Sequence, residues 1–203
     1  MVCRGGQKHD FTTVDILGRW GFQMGTEITG GDWAFAGRGR TTAEIIRDFY
    51  RALRDAAGDD VVVNGCNTIG HLAAGLFEMQ RTGDDTSGLE WERTRKMGVN
   101  TLAFRMPQHR TFFSADADCV GLTTKIPWRL NAQWLDLLAR SGTPLFVSAD
   151  PEALGTAQRK ALTAAYSRAA RTQPHAMPLD WQETLCPTRW LCGKQTVTFD
   201  WRE

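Results

Sequence analysis

The sequence lacks a charge surplus: 24 lysines and arginines stand against 23 aspartates and glutamates, a formal net charge of +1. A nucleic-acid binder carries a clustered basic face, and this balance provides none, so no nucleic-acid partner is expected. No apolar run reaches the length of a bilayer span, and the first residues show no charged-then-apolar leader pattern, so no membrane partner is expected either. The cysteines are few, odd in number and scattered, at Cys3, Cys66, Cys119, Cys186 and Cys192. That distribution fits reduced thiols in a cytoplasmic compartment better than a disulfide framework. A G-x-S-x-G elbow is missing, and so are a P-loop and a dinucleotide fingerprint, since "GGQKHD" and "GRGR" lack the strand-loop-helix order. His9, His71, His109 and His175 share no ligand spacing, and no Asx-rich loop offers a calcium site, so no metal is expected.

What is present is enough for one sizeable core or two small ones: 203 residues, 42% of them apolar. Of the eight tryptophans, Trp20, Trp33, Trp91 and Trp128 lie near polar, glycine-rich stretches. Flat rings beside carboxylates suit a sugar-binding cleft, and they suit ordinary core and rim positions equally well. A helix is predicted over Thr41 to Ala57, with Thr41 or Thr42 as cap and Ile45, Ile46, Phe49, Leu53 and Ala56 as its apolar stripe. "DVVVNGC" then reads as a buried strand, "GHLAAGLFEMQ" as a short helical segment and 88–97 as helix. "NTLAF" reads as a short strand or an irregular connection, and "FFSADADCVGL" at 112–122 as a single strand. A helix over 130–142, a buried strand over 143–149 and a helix over 151–170 follow. Such alternation predicts an α/β fold with a mostly parallel sheet. From Pro174 the helical period is lost, and "KQTVTFDW" reads as a strand of a small appended β-structure.

The acids are placed unusually. Asp10 follows the first candidate strand, Asp84 and Asp85 follow Arg81 and a glycine, and Asp116 and Asp118 stand at i and i+2 on one face of the 112–122 strand. Residues just past the C-terminal ends of parallel strands line the site of an α/β protein. Acids gathered at that edge suit a polyhydroxylated ligand or a metal. Cys66, in "NGCN", has no evident base partner and reads as a wall residue at a strand end. Glycoside hydrolysis needs one carboxylate as nucleophile and a second as acid and then base. Lys8, at i and i+2 with Asp10, suits a nucleophile that must stay ionised, and Arg81 stands near Asp84 and Asp85 to orient an acid or bind a hydroxyl.

These motifs resemble the melibiase superfamily, the α-galactosidase-like retaining glycoside hydrolases of families 36 and 27, on the side of the bacterial relatives of family 36. Lys8-His9-Asp10 matches the family's lysine-x-aspartate at the end of the nucleophile strand. Arg81-Thr82-Gly83-Asp84-Asp85 matches its arginine-x-glycine-x-aspartate, which selects Asp85 as acid/base. "VVVNGCNTIGHLAAGLFEMQRTG" is similar to the glycine-cysteine strand end and following helix, which places Cys66 and Asn67 beside the sugar. "SADADC" matches an asparagine-aspartate-proline-aspartate-cysteine segment with Asp116, Asp118 and Cys119 kept and alanines at 115 and 117.

The resemblance implies a retaining hydrolase of O-glycosidic bonds, with Asp10 as nucleophile and Asp85 as acid/base. A raffinose-type transferase using the same intermediate, or a noncatalytic carbohydrate-binding piece, are the alternatives it leaves. It implies substrate contacts from Lys8, His9, Cys66, Asn67, Arg81, Asp84, Asp116 and Asp118, with Trp20 stacking on the sugar and Asp84 raising the pKa of Asp85 as a like-charged neighbour. No cofactor is implied; the partner is a carbohydrate, and full-length members allow a homo-oligomer. The implied fold is the C-terminal part of a (β/α)8 TIM barrel, about strands four to eight, over residues 1–172. Residues 173–203 would be a linker and the remnant of a C-terminal β-domain.

Overall fold

The computed structural model describes residues 5–10, 35–66 and 68–203. The chain divides into two compact units, Met1–Arg81 and Thr82–Glu203, each with its own core.

In the first unit, strand β1 (Gly5–His9) pairs in parallel with β2 (Val61–Gly65), and β2 pairs in parallel with β3 (Met79–Arg81). Between β1 and β2 runs helix α1 (Thr42–Ala57), which begins with a reciprocal capping box. Thr41 Oγ1 accepts the Glu44 amide at 3.2 Å, and Glu44 Oε2 accepts the Thr41 amide at 2.7 Å. Its buried stripe is Ile46 and Tyr50, with Leu53 and Ala57 packed alongside, so the helix is rotated from the expected stripe and leaves Phe49 at the surface. Tyr50 can be buried because its hydroxyl accepts the Ile69 amide at 2.8 Å. These residues close over Val63, Ala73 and Phe77 to make the smaller core. Helix is confined to the short α2 (Gly70–Ala73), and the end of the expected helical segment is instead β3, a strand paired with β2.

The second unit starts with helix α3 (Trp91–Thr94), which runs through a π-helical turn, Arg95–Asn100, into α4 (Thr101–Arg105). The stretch at 100–104, expected as a short strand or an irregular connection, is therefore helix. Val99, Leu102, Ala103 and Met106 are all buried, a three-and-four spacing that only a helix places on one face. Gly98 sits inside the π turn because a Cβ there would lie 2.8 Å from Trp134 Cζ2. Nor is 112–122 one strand. It forms β4 (Ser114–Asp116) and β5 (Cys119–Leu122), broken where Asp118 takes a left-handed φ of 66°.

Helix α5 (Trp128–Ser141) buries Leu130, Trp134, Leu135, Leu137 and Leu138 and leads to β6 (Phe146–Ala149), parallel to β5. The stretch at 143–149 is less buried than its composition suggests: Leu145 and Val147 face the core while Phe146 is 43% exposed. Helix α6 (Thr156–Ala169) follows. Then β7 (Met177–Pro178), β8 (Arg189–Cys192) and β9 (Gln195–Thr198) form an antiparallel sheet in that order. This sheet shares the core of its unit, since Trp190, Phe199 and Trp201 pack in the cluster that holds Trp91 and Trp134. Parallel strands joined by helices and followed by a smaller antiparallel sheet are the architecture of part of a (β/α)8 barrel with an appended sheet, as the sequence implies. Among the described residues no helix is long and apolar enough to cross a membrane.

Candidate active site

Register decides which side chains meet at the strand ends of the first unit. Lys8 lies opposite Asn64 and His9 opposite Gly65, while Asn64 and Gly65 lie opposite Met79 and Gln80. Side chains alternate along each strand, and partners in register share a face. Lys8, Asn64 and Met79 therefore form one layer, and the next layer on the same face is Asp10 and Cys66, one step past β1 and β2, with Arg81, the last residue of β3. The Cys66 amide donates to His9 O at 2.7 Å, which extends the ladder to that step.

Lys8 Nζ pairs with Asp10 Oδ2 at 3.1 Å, both groups part-exposed. Burial disfavours the Lys8 ammonium, but the hydrogen bond to Asp10 and the field of Cys66 outweigh it, and its pKa is raised. Cys66 is buried, and burial pushes its thiol up to about 11 against the opposing fields of Arg81 and Lys8. At neutral pH Cys66 is thus a protonated wall group rather than a thiolate nucleophile. His9, one residue from Lys8, has its ring stacked on Phe77 at 6.2 Å, on the side of the small core. Trp20 and Asn67, implied to touch the sugar, lie outside the described residues, as does Trp33.

In the second unit the carboxylates Asp84 and Asp85 stand on a loop held from three sides. Its base is fixed by the Thr82 amide, which donates to Asp116 O at 2.8 Å. Its floor is the π-helical turn and the start of α4: a Cβ on Gly83 would meet Met97 O at 2.5 Å and the Thr101 side chain at 2.8 Å, so only glycine fits. Arg93, a residue that sequence reasoning missed, closes the third side. Its Nη2 donates to Asp84 Oδ2 at 2.9 Å and its Nε to Asp85 O at 2.8 Å. Asp84 Oδ1 also accepts the Asp85 amide at 2.8 Å. Arg93 thus pairs with the Asp84 carboxylate and holds the Asp85 backbone at the same time. Asp85 itself is exposed.

Asp116 and Asp118 are both buried and both bonded into the frame of this loop. Asp118 Oδ2 accepts the Thr86 amide at 2.6 Å and the Thr86 hydroxyl at 2.9 Å, while Asp116 Oδ1 accepts the Asp118 amide at 2.8 Å. The strand break separates them, so they do not share one face as i and i+2 in a continuous strand would. Trp91 is not a sugar platform either: it is buried, and its indole N–H donates to Trp201 O at 2.7 Å. Trp128 packs against the same core. Among the described residues no group of three or more histidines, cysteines or acids is arranged to hold a metal ion.

The fold recurs in solved glycosidases. A GH27 β-L-arabinopyranosidase from Geobacillus stearothermophilus matches with a TM-score of 0.54 at 16% identity, over 72% of this chain and 38% of that one. A variant of the same enzyme in complex with arabinose matches at 0.55 and 16% identity over the same shares. α-Galactosidase I from Mortierella vinacea matches at 0.54 with 12% identity, over 77% of this chain and 44% of that one. The chain therefore spans about two fifths of the length of these enzymes. No protein-family model matches the sequence, and no curated protein does. At such identities the likeness is one of fold: the chain has the architecture of a part of these glycosidases.

Proposed function

We propose that this chain carries the two carboxylates of a retaining glycosidase acting on O-glycosidic bonds, with Asp10 as nucleophile and Asp85 as acid/base. The observation that carries the reading is the Lys8–Asp10 ion pair at the C-terminal end of a parallel strand, in a fold shared with two glycosidases. The substrate class follows from those neighbours. α-D-Galactopyranose and β-L-arabinopyranose present the same ring hydroxyls and anomeric orientation, and differ by the exocyclic hydroxymethyl group.

The chemistry is a double displacement. Asp10 attacks the anomeric carbon as the bond to the leaving oxygen breaks, and the proton of Asp85 passes to that oxygen. The resulting glycosyl ester on Asp10 is then cleaved by water, whose proton returns to Asp85, with net retention. Lys8 keeps Asp10 ionised and donates to a ring hydroxyl, and Arg81 offers a second donor on the same face. Cys66 contributes a protonated, uncharged wall. The two carboxylates must flank one anomeric carbon about 5 Å apart for this to operate.

The test is mass spectrometry of the folded protein after incubation with an activated fluorinated α-galactoside, which slows hydrolysis of the ester. A glycosyl adduct on the peptide containing Asp10, absent in Asp10→Ala, supports the reading. A folded chain that forms no adduct with either the galactoside or the β-L-arabinopyranoside overturns it.

A further inference from the structure

The second unit holds a cleft that the proposed chemistry does not use. It has a volume of about 500 Å3 and is lined by Arg140, Arg168, Arg171, Ser167, Gln195 and Cys192, among others. Arg140 lies in the last turn of α5 and Arg168 in the last turn of α6, with Arg171 just beyond. Helices that return between parallel strands end at the start of the next strand. Helix α5 returns from β5 to β6 in this way, so its last turn, with Arg140, lies at the opposite end of these strands from the break after β4, to which the loop of Asp84 and Asp85 is bonded.

The charge in the cleft is unbalanced. Asp136 pairs with Arg140 Nε at 2.7 Å and, more loosely, with Arg168 Nη1 at 3.8 Å. Arg171 has no salt bridge among the described residues, and no acid lines the cleft. The carbonyl ends of α5 and α6 contribute about half a negative charge each, which together with Asp136 still leaves a positive surplus. The lining is rich in donors: three guanidinium groups, the Ser167 hydroxyl and the amides of Gln173 and Gln195, with the Cys192 thiol beside them. Planar guanidinium forks match the oxygens of phosphate and carboxylate in pairs, and several on one concave wall select a compact anion of more than one charge.

We propose that this cleft is an oxyanion site for a phosphate-class dianion, either free phosphate or the phosphate group of a small phosphomonoester. Arg171 and Arg168 are its principal ligands, Arg140 is held in place by Asp136, and Ser167 and Gln195 stand at the rim. The cleft is open enough to admit the ester's organic part, so both sources fit the same donors.

Cys192 in the wall supplies a local reporter. Its alkylation by iodoacetamide at one fixed alkaline pH, read by peptide mass spectrometry, measures access to the cleft; burial pushes the Cys192 thiol up, as it does that of Cys186, so both react slowly and are compared under the same condition. Cys186, in the same unit but outside the lining residues, is the internal control. Protection scales as one plus the ratio of ligand to dissociation constant, so phosphate at twice that constant slows Cys192 about threefold. The expected result is that millimolar inorganic phosphate protects Cys192 and leaves Cys186 unchanged, whereas sodium chloride of equal ionic strength protects neither. Arg171→Gln should abolish the protection without altering the unliganded rate. If galactose 1-phosphate protects at lower concentration than phosphate, the site takes an ester; equal protection assigns it to phosphate itself. Protection by chloride equal to that by phosphate, or phosphate protection that survives in Arg171→Gln, overturns the proposal, and so does the absence of protection by both phosphates.

Discussion

A single oxygen of Asp118 accepts both the amide and the hydroxyl of Thr86, at 2.6 and 2.9 Å, across a stretch of sequence in which Trp91 and the whole of α3 and α4 intervene. This contact ties the loop of Asp84 and Asp85 to the break between β4 and β5. Asp118 holds the position by two properties at once: a charged acceptor and tolerance of a φ of 66°. Asp118→Ala loses both and should lower unfolding free energy by about 2 to 4 kcal/mol in urea titration. Asp118→Asn keeps an acceptor and the left-handed preference and should cost less than about 1.5 kcal/mol. Equal losses for the two variants would show that the Thr86 contact does not hold the loop.

The Lys8–Asp10 pair separates stability from chemistry. Both side chains are about a third or more exposed, and such pairs contribute about 1 kcal/mol or less to folding. Lys8→Met should therefore leave the urea midpoint almost unchanged. If Lys8 keeps the nucleophile ionised and holds a hydroxyl, the same change should lower kcat/KM by about 10- to 100-fold. A variant whose stability falls and whose turnover does not would assign Lys8 to the fold.

Parts of this architecture are written locally in the sequence, and parts are not. The capping box at Thr41 and Glu44 and the β-branched run at Val61 to Val63 are local signals, and both elements form where they indicate. Helix α4 is disguised because the π-helical turn before it shifts the phase of the apolar pattern. Only Val99, Leu102, Ala103 and Met106 taken together betray it. The break between β4 and β5 carries no glycine or proline. It rests on the Asp116 carboxylate capturing the Asp118 amide, a side-chain event that periodicity cannot report. Trp91 illustrates a third kind of miss: its burial depends on Trp201, whose backbone oxygen lies at the far end of the sequence. In the site, the lysine-x-aspartate pattern and the paired Asp84 and Asp85 are legible. The clamp by Arg93 is not, since it needs the loop to fold back onto α3.

Gly98 marks where the π-helical turn meets α5. An alanine there would place its Cβ 2.8 Å from Trp134 Cζ2 and 3.2 Å from Thr86 Cγ2. Trp134 is fully buried in the main core of this unit. Gly98→Ala should cost about 1 to 3 kcal/mol, despite alanine's better helix propensity, as overpacking of a dense core does. A neutral or stabilising result in thermal and urea unfolding would mean that the turn relaxes to ordinary α-helix.

His109 links the start of β4 to the end of α5. Its Nδ1 accepts the Ala115 amide at 3.1 Å, and its Nε2 lies 3.1 Å from Gly142 O, which fixes the tautomer with the proton on Nε2. Burial, reinforced by the neighbouring Arg110 guanidinium, lowers the pKa to about 4, while the unfolded chain binds its proton near 6.5. The fold therefore prefers neutral His109. Its contribution is complete above pH 6.5 and is lost progressively as the pH falls from 6.5 to 4, because over that window the unfolded state holds more protons. At pH 5 the loss amounts to about 2 kcal/mol relative to pH 7. Urea titrations at the two pH values should show that difference in the wild-type chain and a much smaller one in His109→Gln, which has no proton to gain. An equal difference in both would place the acid sensitivity elsewhere and mean that His109 takes up its proton as readily in the folded chain as in the unfolded one.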